Sequence, residues 1–382
     1  NLEATVNRAF AVATSGTPGP VFVEVPVDLL YREEVVREWY MKESGVENAT
    51  DLGSKALQLY LRGHLYKQFH SPALPVPGPM PDLRISMRNN EAELEKIRQA
   101  IAKAERPALV LGSQALVNCR NPETLATALR HLAIPTFLGG NARGLLGRNS
   151  DVQFRHKRSK ALKEADLVIV AGFPFDFRLG YGRSISSKAT LVAANLNRTD
   201  LRKNRRPDIG LVMHPGQFLE DLASSTSSGE GKWGPWFETL GARESDRDEE
   251  IRQKATTATP LIDPVNFFLQ LEEEMDDDAV LVVDGGDFVA TAAYVLRPRK
   301  PLCWLDPGVF GTLGVGGGFA VGASVCRPGQ ETWIIYGDGS CAYSLAEMDT
   351  CVRHGLAPIA VIGTDGSWGQ IAREQGDMLG DL

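Results

Sequence analysis

Two short acidic motifs, separated by one helical segment, constrain the fold of this chain more than any other feature. Gly-Asp-Gly at residues 337–339 follows an apolar run at residues 332–336, and Thr-Asp at residues 364–365 follows a second apolar run at residues 359–362. Short apolar runs of this kind are typical of buried strands. Glycine on both sides of the first aspartate permits a tight turn and a close approach to a phosphate. The region therefore predicts a strand, a helix and a second strand, with an acidic loop after each strand.

The segment between the two motifs has the form of a helical crossover. Ser344 and Glu347 fit a capping box, which predicts a helix from there to about Arg353. A right-handed crossover leaves the carboxyl ends of both parallel strands at one edge of the sheet, where ligands of open α/β sheets bind. Asp338 and Asp365 would then face one cavity and could hold a magnesium ion together with phosphate oxygens. A Gly-Asp-Gly tripeptide alone is usually only a turn, so the prediction depends on the second acidic loop.

This region resembles the cofactor-binding motif of thiamine diphosphate enzymes, in which Gly-Asp-Gly is followed by a spacer of this length and then Asn-Asn. The resemblance implies thiamine diphosphate and Mg²⁺ as cofactors, with Asp338, Asp365 and the backbone carbonyl of Ser367 as metal ligands. Thr364 and Asp365 replace the two asparagines, and Thr364 becomes the second ligand if the register differs by one residue. Gly339 and Ser340 complete the predicted contacts of this motif with the cofactor.

Longer strings narrow the resemblance to one branch of that family. Residues 137–147, 283–288, 304–314 and 368–375 are similar to the animal acetolactate synthase-like proteins, which are also described as 2-hydroxyacyl-CoA lyases. The resemblance implies an enzyme of fatty acid alpha-oxidation that cleaves an acyl-CoA substrate to formyl-CoA and a shortened aldehyde. It also implies a homodimer or homotetramer and a location at the endoplasmic reticulum membrane.

Four further residues acquire roles from the same resemblance. The Gly311 carbonyl would accept a hydrogen bond from the aminopyrimidine of the cofactor, and Leu313 would hold the cofactor in its bent shape. Gly286 and Asp287 align with a loop at the diphosphate and pyrimidine. From the residues alone, an ordinary core leucine is the better interpretation of Leu313. The activating glutamate of the family is expected upstream, so no catalytic side chain is assigned here and the chain alone is expected to be inactive.

The chain is predicted to be an α/β protein with tandem doubly wound parallel sheets of the thiamine diphosphate enzyme type. Residues 108–111 and 167–171 read as buried strands of one domain, and residues 21–25 read as a strand after an amino-terminal helix. The expected divisions are residues 1–30 as the end of a pyrimidine-binding domain, 31–90 as a connector with a proline-rich linker, 91–223 as a central Rossmann-like domain, 224–262 as a linker, and 263–382 as a truncated diphosphate- and magnesium-binding domain.

Composition excludes several other classes of protein. The net charge is −7 and there is no dense basic stripe, which argues against a nucleic-acid partner. Five scattered cysteines without a Cys-x-x-Cys pair argue against structural zinc and a disulfide framework. Residues 307–326 are uncharged, but seven glycines favour a buried loop and helix over a membrane span. The chain therefore reads as soluble, without a membrane segment of its own.

Two alternative functions share the same cofactor motif. One is a carboligase of the acetolactate synthase type, which would differ in its substrate pocket. The other is a noncatalytic cofactor-binding subunit that has kept the fold. Turnover separates an enzyme from a binding subunit, and dependence on acyl-CoA rather than pyruvate separates the two enzymes.

Overall fold

The computed structural model describes residues 2–72, 90–119, 121–255 and 260–380. The chain divides into two compact units, with the boundary between Asp82 and Leu83. Most of the predicted proline-rich linker lies outside the described residues.

The first unit is helical in the part that the structure describes. Its helices are α1 (Leu2–Ala13), α2 (Glu33–Glu43) and α3 (Leu52–His70), with a 3-10 turn at Val27–Leu30. The predicted amino-terminal helix is confirmed. The strand predicted at residues 21–25 is wrong, because these residues have no regular secondary structure and most are exposed. A strand needs a neighbouring backbone to bond, and the structure describes no strand between residues 2 and 72.

The second unit begins with a five-stranded parallel sheet in the order β2-β1-β3-β4-β5. Its strands are β1 (Pro107–Leu111), β2 (Thr136–Leu138), β3 (Leu167–Ala171), β4 (Thr190–Asn195) and β5 (Ile209–Val212). The accompanying helices are α4 (Glu91–Lys103), α5 (Pro122–Leu132), α6 (Arg158–Glu164), α7 (Arg198–Arg202) and α8 (Pro215–Ser224). The strands predicted at residues 108–111 and 167–171 are confirmed, and every residue of β1 and β3 is buried.

Alternate residues of these strands enter two separate hydrophobic clusters. Leu109 and Ile169 belong to one cluster, whereas Val110 and Val168 belong to the other. Successive side chains of a strand point to opposite faces, so both faces of the sheet are covered. This is the doubly wound arrangement that the alternating pattern predicts.

Residues 224–262, expected to be a linker, contain a long helix. Helix α9 (Gly234–Ala255) begins beside Trp233, and Trp236 lies in its first turn. Both indoles are buried in the core of the first sheet, where they donate to the carbonyls of Ala104 and Pro107. The start of this segment is therefore fixed to the domain before it.

The second sheet is also parallel, in the order β7-β6-β8-β9. Its strands are β6 (Val280–Val283), β7 (Trp304–Leu305), β8 (Thr332–Gly337) and β9 (Ile359–Gly363). Its helices are α10 (Pro264–Glu274), α11 (Asp287–Val295), α12 (Gly316–Cys326), α13 (Asp338–Ser344), α14 (Glu347–Arg353) and α15 (Gly369–Leu379). With two all-parallel sheets in one chain, the predicted α/β fold class is confirmed.

The predicted crossover from β8 to β9 is present, and Gly337 is aligned with Gly363 at the ends of the two strands. Its helical part differs from the prediction, because α13 begins directly at Asp338 and a second helix follows it. The capping box is wrong: Ser344 is buried, where its hydroxyl shares a 3.0 Å hydrogen bond with Tyr336 and accepts from Gly317 N at 3.3 Å. The serine therefore ties the crossover to the sheet and to α12.

The uncharged run at residues 307–326 forms a 3-10 turn at Gly308–Phe310, a loop and helix α12, so the predicted loop and helix are confirmed. The prediction that they are buried is wrong, because Phe310 is 83% exposed and Val325 is 61% exposed. Across the described parts of the chain, no helix combines the length and the apolar character needed to cross a membrane.

Candidate functional site

Four loops at the carboxyl edge of the second sheet carry the predicted site residues. They comprise residues 284–287 after β6, residues 306–315 after β7, residues 337–340 at the end of β8, and residues 364–368 after β9. The first and third loops touch through their backbones, because Gly337 N donates to Gly285 O at 3.2 Å. A side chain at Gly337 would meet that same carbonyl at 2.9 Å, so glycine allows this close approach.

Asp338 is the residue on which the third and fourth loops converge. Its Oδ2 accepts from Thr364 Oγ1 at 3.1 Å and from Gly366 N at 3.0 Å, and its Oδ1 accepts from Gly339 N at 2.7 Å. The backbone donors of Gly366 and Gly339, followed by the Thr364 hydroxyl, lower the pKa of Asp338 below its usual value. The carboxylate is therefore held in its ionised form, which is the form that binds a cation.

Asp365 lies in the same loop as Thr364, but its carboxylate has a different partner. Asp365 Oδ1 accepts from Ser367 N at 3.0 Å, and a side chain at Gly369 would meet Asp365 Oδ2 at 2.4 Å. The Thr364 hydroxyl, rather than the Asp365 carboxylate, is therefore the side-chain group that bonds to Asp338. Both residues and Ser367 are exposed.

Leu313 lies against the first loop. An added Cβ at Gly285 would stand 2.0 Å from Leu313 Cδ2, so the absence of a side chain at residue 285 makes room for this leucine. Leu313 is only partly buried, which distinguishes it from an ordinary core leucine. Gly311 is exposed and has a positive φ of 59°, a conformation that glycine adopts without strain.

Asp284 is a site residue that the sequence reasoning did not single out. It is 2% exposed, and it accepts from Gly314 N at 2.9 Å and from Gly316 N at 2.7 Å. Burial raises the pKa of Asp284, and the two backbone donors oppose that shift. Asp284 thereby fixes the end of the loop that carries Leu313. The available signal was an acidic residue directly after a wholly apolar strand.

The remaining predicted residues make contacts within the protein. Gly286 has a φ of 104° and precedes α11, and Asp287 forms an ion pair with Arg373 of α15. The Ser340 hydroxyl is buried and donates to the carbonyls of Gly337 at 3.0 Å and Gly285 at 3.3 Å. Its side chain therefore braces the two adjoining loops.

The donor set fits a magnesium diphosphate. Asp338, Asp365, the Thr364 hydroxyl and the loop carbonyls are hard oxygen ligands, which Mg²⁺ prefers, and the glycine loops leave backbone accessible to phosphate. Within the described residues, no group of three or more His, Cys, Asp or Glu side chains could hold a metal by themselves. A magnesium ion here would accordingly need further ligands from phosphate oxygens and water.

Comparison with known families identifies two domains in the chain. Residues 94–222 match the thiamine pyrophosphate enzyme central domain, and residues 284–381 match the thiamine pyrophosphate enzyme C-terminal TPP binding domain. The second match includes all the site residues described above, whereas the first covers the first sheet.

Curated relatives align with nearly the whole chain. The 2-hydroxyacyl-CoA lyase 2 of Danio rerio is 41% identical over 389 residues, covering 99% of this chain and 61% of that protein. The Homo sapiens protein of the same name is 42% identical over 389 residues, covering 100% of this chain and 60% of that protein. A probable acetolactate synthase of Mycobacterium bovis is 32% identical over 294 residues, covering 77% of this chain and 53% of that protein. The chain thus spans about three fifths of the length of the lyase relatives.

Proposed function

Because the chain belongs to the thiamine pyrophosphate enzymes, we propose that it forms part of a thiamine diphosphate- and Mg²⁺-dependent lyase that cleaves 2-hydroxyacyl-CoA to formyl-CoA and a shortened aldehyde. The observation that carries this proposal is the 41–42% identity to proteins named 2-hydroxyacyl-CoA lyase 2, which extends over at least 99% of the chain. The arrangement of the four loops around Asp338 and Leu313 supports it.

The cofactor supplies a carbanion and then an electron sink for cleavage of the carbon–carbon bond beside the substrate carbonyl. The residues of this chain would bind the cofactor and orient it. Asp338, Asp365 and the Ser367 carbonyl would hold Mg²⁺, with Thr364 as the alternative second ligand. Gly286, Asp287, Gly339 and Ser340 belong to the loops that would surround the diphosphate.

Leu313 and Gly311 would orient the organic part of the cofactor. The absence of a side chain at Gly285 makes room for Leu313, and the loop that carries Leu313 is anchored by the buried Asp284 carboxylate. A leucine on an anchored loop could support one bent shape of a ligand. Leu313 and Gly311 would position the cofactor, and proton transfer would be carried out by groups elsewhere.

A carboligase of the acetolactate synthase type is the second candidate, because a probable acetolactate synthase is 32% identical over 77% of the chain. The four loops could serve either reaction. The lyase is preferred because its named relatives are more similar and align over more of the chain. A noncatalytic subunit would keep cofactor binding without turnover.

The test uses the protein expressed from the complete coding sequence, supplied with thiamine diphosphate and Mg²⁺. One assay offers a 2-hydroxyacyl-CoA and measures formyl-CoA and aldehyde, and a parallel assay offers pyruvate and measures acetolactate. We expect products only from the acyl-CoA, and none from the Asp338→Ala variant. Acetolactate formation would favour the carboligase, and cofactor binding without either product would favour the noncatalytic subunit.

We also propose that the complete protein is a homodimer or homotetramer at the endoplasmic reticulum membrane, on the basis of its resemblance to the animal lyases. Light scattering of the purified protein would measure the number of subunits, and fractionation of cells would test the location. A monomer, or recovery in the cytosolic fraction, would contradict the corresponding part of this proposal.

A further inference from the structure

Arg143 links the two sheets of the second unit through an aromatic ring. It follows the short turn after β2, and its guanidinium carbon lies 3.7 Å from the centre of the Trp304 ring in β7. Its Nη2 also donates to the carbonyl of Ala293 in α11 at 2.6 Å. Among the described residues Arg143 has no carboxylate within ion-pair distance, and burial lowers its pKa to about 10. The ring face and the Ala293 carbonyl contact the cation directly, and the more distant Asp306 carboxylate also favours its charged form.

Trp304 connects this arginine to the loop that would orient the cofactor. The ring is 1% exposed, and its Nε1 donates to Asp306 Oδ2 at 2.7 Å. Asp306 Oδ1 in turn accepts from Gly308 N at 2.8 Å, where the turn leading to Gly311 begins. The start of the loop is thereby fixed through a chain of contacts that begins in the first-sheet domain.

The two ends of this loop are anchored in the same chemical way. Asp306 accepts from a backbone amide at the start of the loop, and Asp284 accepts from the amides of Gly314 and Gly316 at its end. Gly311 and Leu313 lie between the two carboxylates. Asp284 belongs to the loop after β6, whereas Asp306 is linked through Trp304 to Arg143 of the first-sheet domain.

Arg143 differs from the other residues that join the two domains. Arg148 also joins the two domains, since its Nε lies 3.1 Å from Glu272 Oε1. Glu272 lies in α10, away from the loop at residues 306–314. Gly144 contributes a close backbone contact, because a side chain there would stand 2.3 Å from the Lys300 carbonyl. Several residues therefore hold the two domains together, and Arg143 is the one that contacts Trp304.

We infer that Arg143 is a positioning residue for the cofactor loop at residues 306–314, acting through Trp304 and Asp306. The inference rests on the proposed function for the identity of the ligand, but its geometry does not depend on which reaction the enzyme performs. According to this inference, a side chain of the central domain sets the position of a loop in the diphosphate-binding domain.

Hydrogen exchange of the protein from the complete coding sequence, without cofactor, tests this directly. Arg143→Met removes the charge, Arg143→Lys keeps it, and Arg148→Met is the matched control that removes an interdomain cation away from the loop. Trp304→Phe keeps an aromatic ring but cannot donate to Asp306, so it tests the relay if Arg143→Met does not fold. Thiamine diphosphate affinity at saturating Mg²⁺ is measured separately, in the protein from the complete coding sequence.

We expect Arg143→Met and Trp304→Phe to speed exchange of the amides at residues 308–314 by about tenfold, and to weaken cofactor binding similarly, since a desolvated cation–π contact of this size changes an equilibrium that much. Arg143→Lys should restore most of the protection, and Arg148→Met should leave this segment unchanged. Unchanged exchange in Arg143→Met and Trp304→Phe, or equal loss in Arg148→Met, would overturn the inference. If the wild type fails to bind thiamine diphosphate, the proposed function fails, while the exchange result still decides the role of Arg143.

Discussion

The two parallel sheets of the second unit differ in how far their strands are buried. Every residue of β1 and β3 in the first sheet is buried, whereas β9 of the second sheet has no buried residue. The neighbouring β8 carries Asp338 at its end, and Thr364 and Asp365 follow β9. Strand β6 of the second sheet is wholly buried as well, so both sheets have a core, and the exposed strand beside the candidate site is β9 at the edge of the second sheet.

This difference separates stability from binding. Ligand-binding loops are commonly drawn from the less stable parts of a protein, because a site must stay accessible. Hydrogen bonds and charges that are exposed to water contribute little to the free energy of unfolding. We therefore expect substitutions in the first sheet to lower stability, and substitutions after β8 and β9 to weaken ligand binding while leaving stability nearly unchanged.

The largest expected effect lies in the first sheet. Ile169→Ala in β3 removes a fully buried side chain, which should lower the free energy of unfolding by about 2–5 kcal/mol. Ile362→Ala in β9 is the matched control, because Ile362 is 46% exposed and its loss should cost about 1 kcal/mol or less. Urea unfolding followed by hydrogen exchange in each sheet measures both. Equal costs for the two isoleucines would remove the contrast between the sheets.

Asp284 should have the next largest effect, because its carboxylate is buried. Asp284→Ala leaves two backbone amides without their acceptor, at a cost of about 1–3 kcal/mol. Asp284→Asn keeps one oxygen acceptor and should cost less. Unfolding of the two variants in parallel measures the difference, and an alanine variant as stable as wild type would show that the carboxylate does not anchor the loop.

The buried Asp284 carboxylate predicts that the stability of the folded protein depends on pH. Because burial raises the pKa of Asp284 above its unfolded value of 3.8, the folded protein binds this proton more tightly than the unfolded chain. Its contribution to stability is complete below the unfolded pKa and is lost as pH rises through the folded pKa. The stability of wild type relative to Asp284→Asn should thus decline as pH rises from about 4. A constant difference between the two proteins would contradict the raised pKa.

Substitutions of the two carboxylates should affect binding more than stability. In the protein from the complete coding sequence, Asp338→Ala and Asp365→Ala should each weaken Mg²⁺-dependent cofactor binding by more than about tenfold, since a carboxylate is a strong magnesium ligand. Asp349→Ala, which removes an exposed carboxylate on α14, is the control and should bind normally. Wild-type affinity in Asp338→Ala would exclude that residue from the metal site.

The smallest effect is expected at Thr364. Thr364→Val should reduce magnesium affinity by about threefold, because a neutral hydroxyl is a weaker ligand than a carboxylate. It should also raise the pKa of Asp338 toward 3.8, since the lost hydroxyl is one of the donors that lower it. A magnesium titration and an NMR titration of Asp338 measure the two effects. If Thr364→Val were more damaging than Asp365→Ala, Thr364 would be the second ligand.

The sequence predicted β1, β3, β8 and β9, because their residues are apolar and lie between recognisable turns. β8 and β9 extend one residue beyond the predicted runs, and both end in glycine. Helix α13 was not predicted, since its sequence is rich in glycine and serine, which favour turns over helix interiors. The strand predicted at residues 21–25 failed because local β propensity does not create a pairing partner.

The candidate site was predictable where it is local in sequence and not where it depends on the fold. The crossover geometry predicts that the ends of β8 and β9 adjoin, with Asp338 and Asp365 facing one cavity. In the structure Asp338 bonds to Thr364 there, while the Asp365 carboxylate accepts from Ser367 N. Arg143 and Trp304 lie in different domains, and no spacing rule connects them. Asp284 lies within residues 283–288, a string that was recognised in the sequence. Its role is revealed by its burial and its two amide donors, which only the structure shows.

The contact between Gly285 and Leu313 has a consequence for engineering. Since a methyl group at residue 285 and the Leu313 side chain would compete for the same space, Gly285→Ala alone should displace the leucine, and Leu313→Ala made with it should relieve the clash. In the proposed site, where Leu313 faces the cofactor, the double variant would remove bulk beside the cofactor and add a methyl group at residue 285. A thiamine diphosphate analogue with an added alkyl group facing residue 313 should then fit the altered protein and be rejected by the wild type, giving an orthogonal enzyme and cofactor pair that could be switched on separately inside a cell.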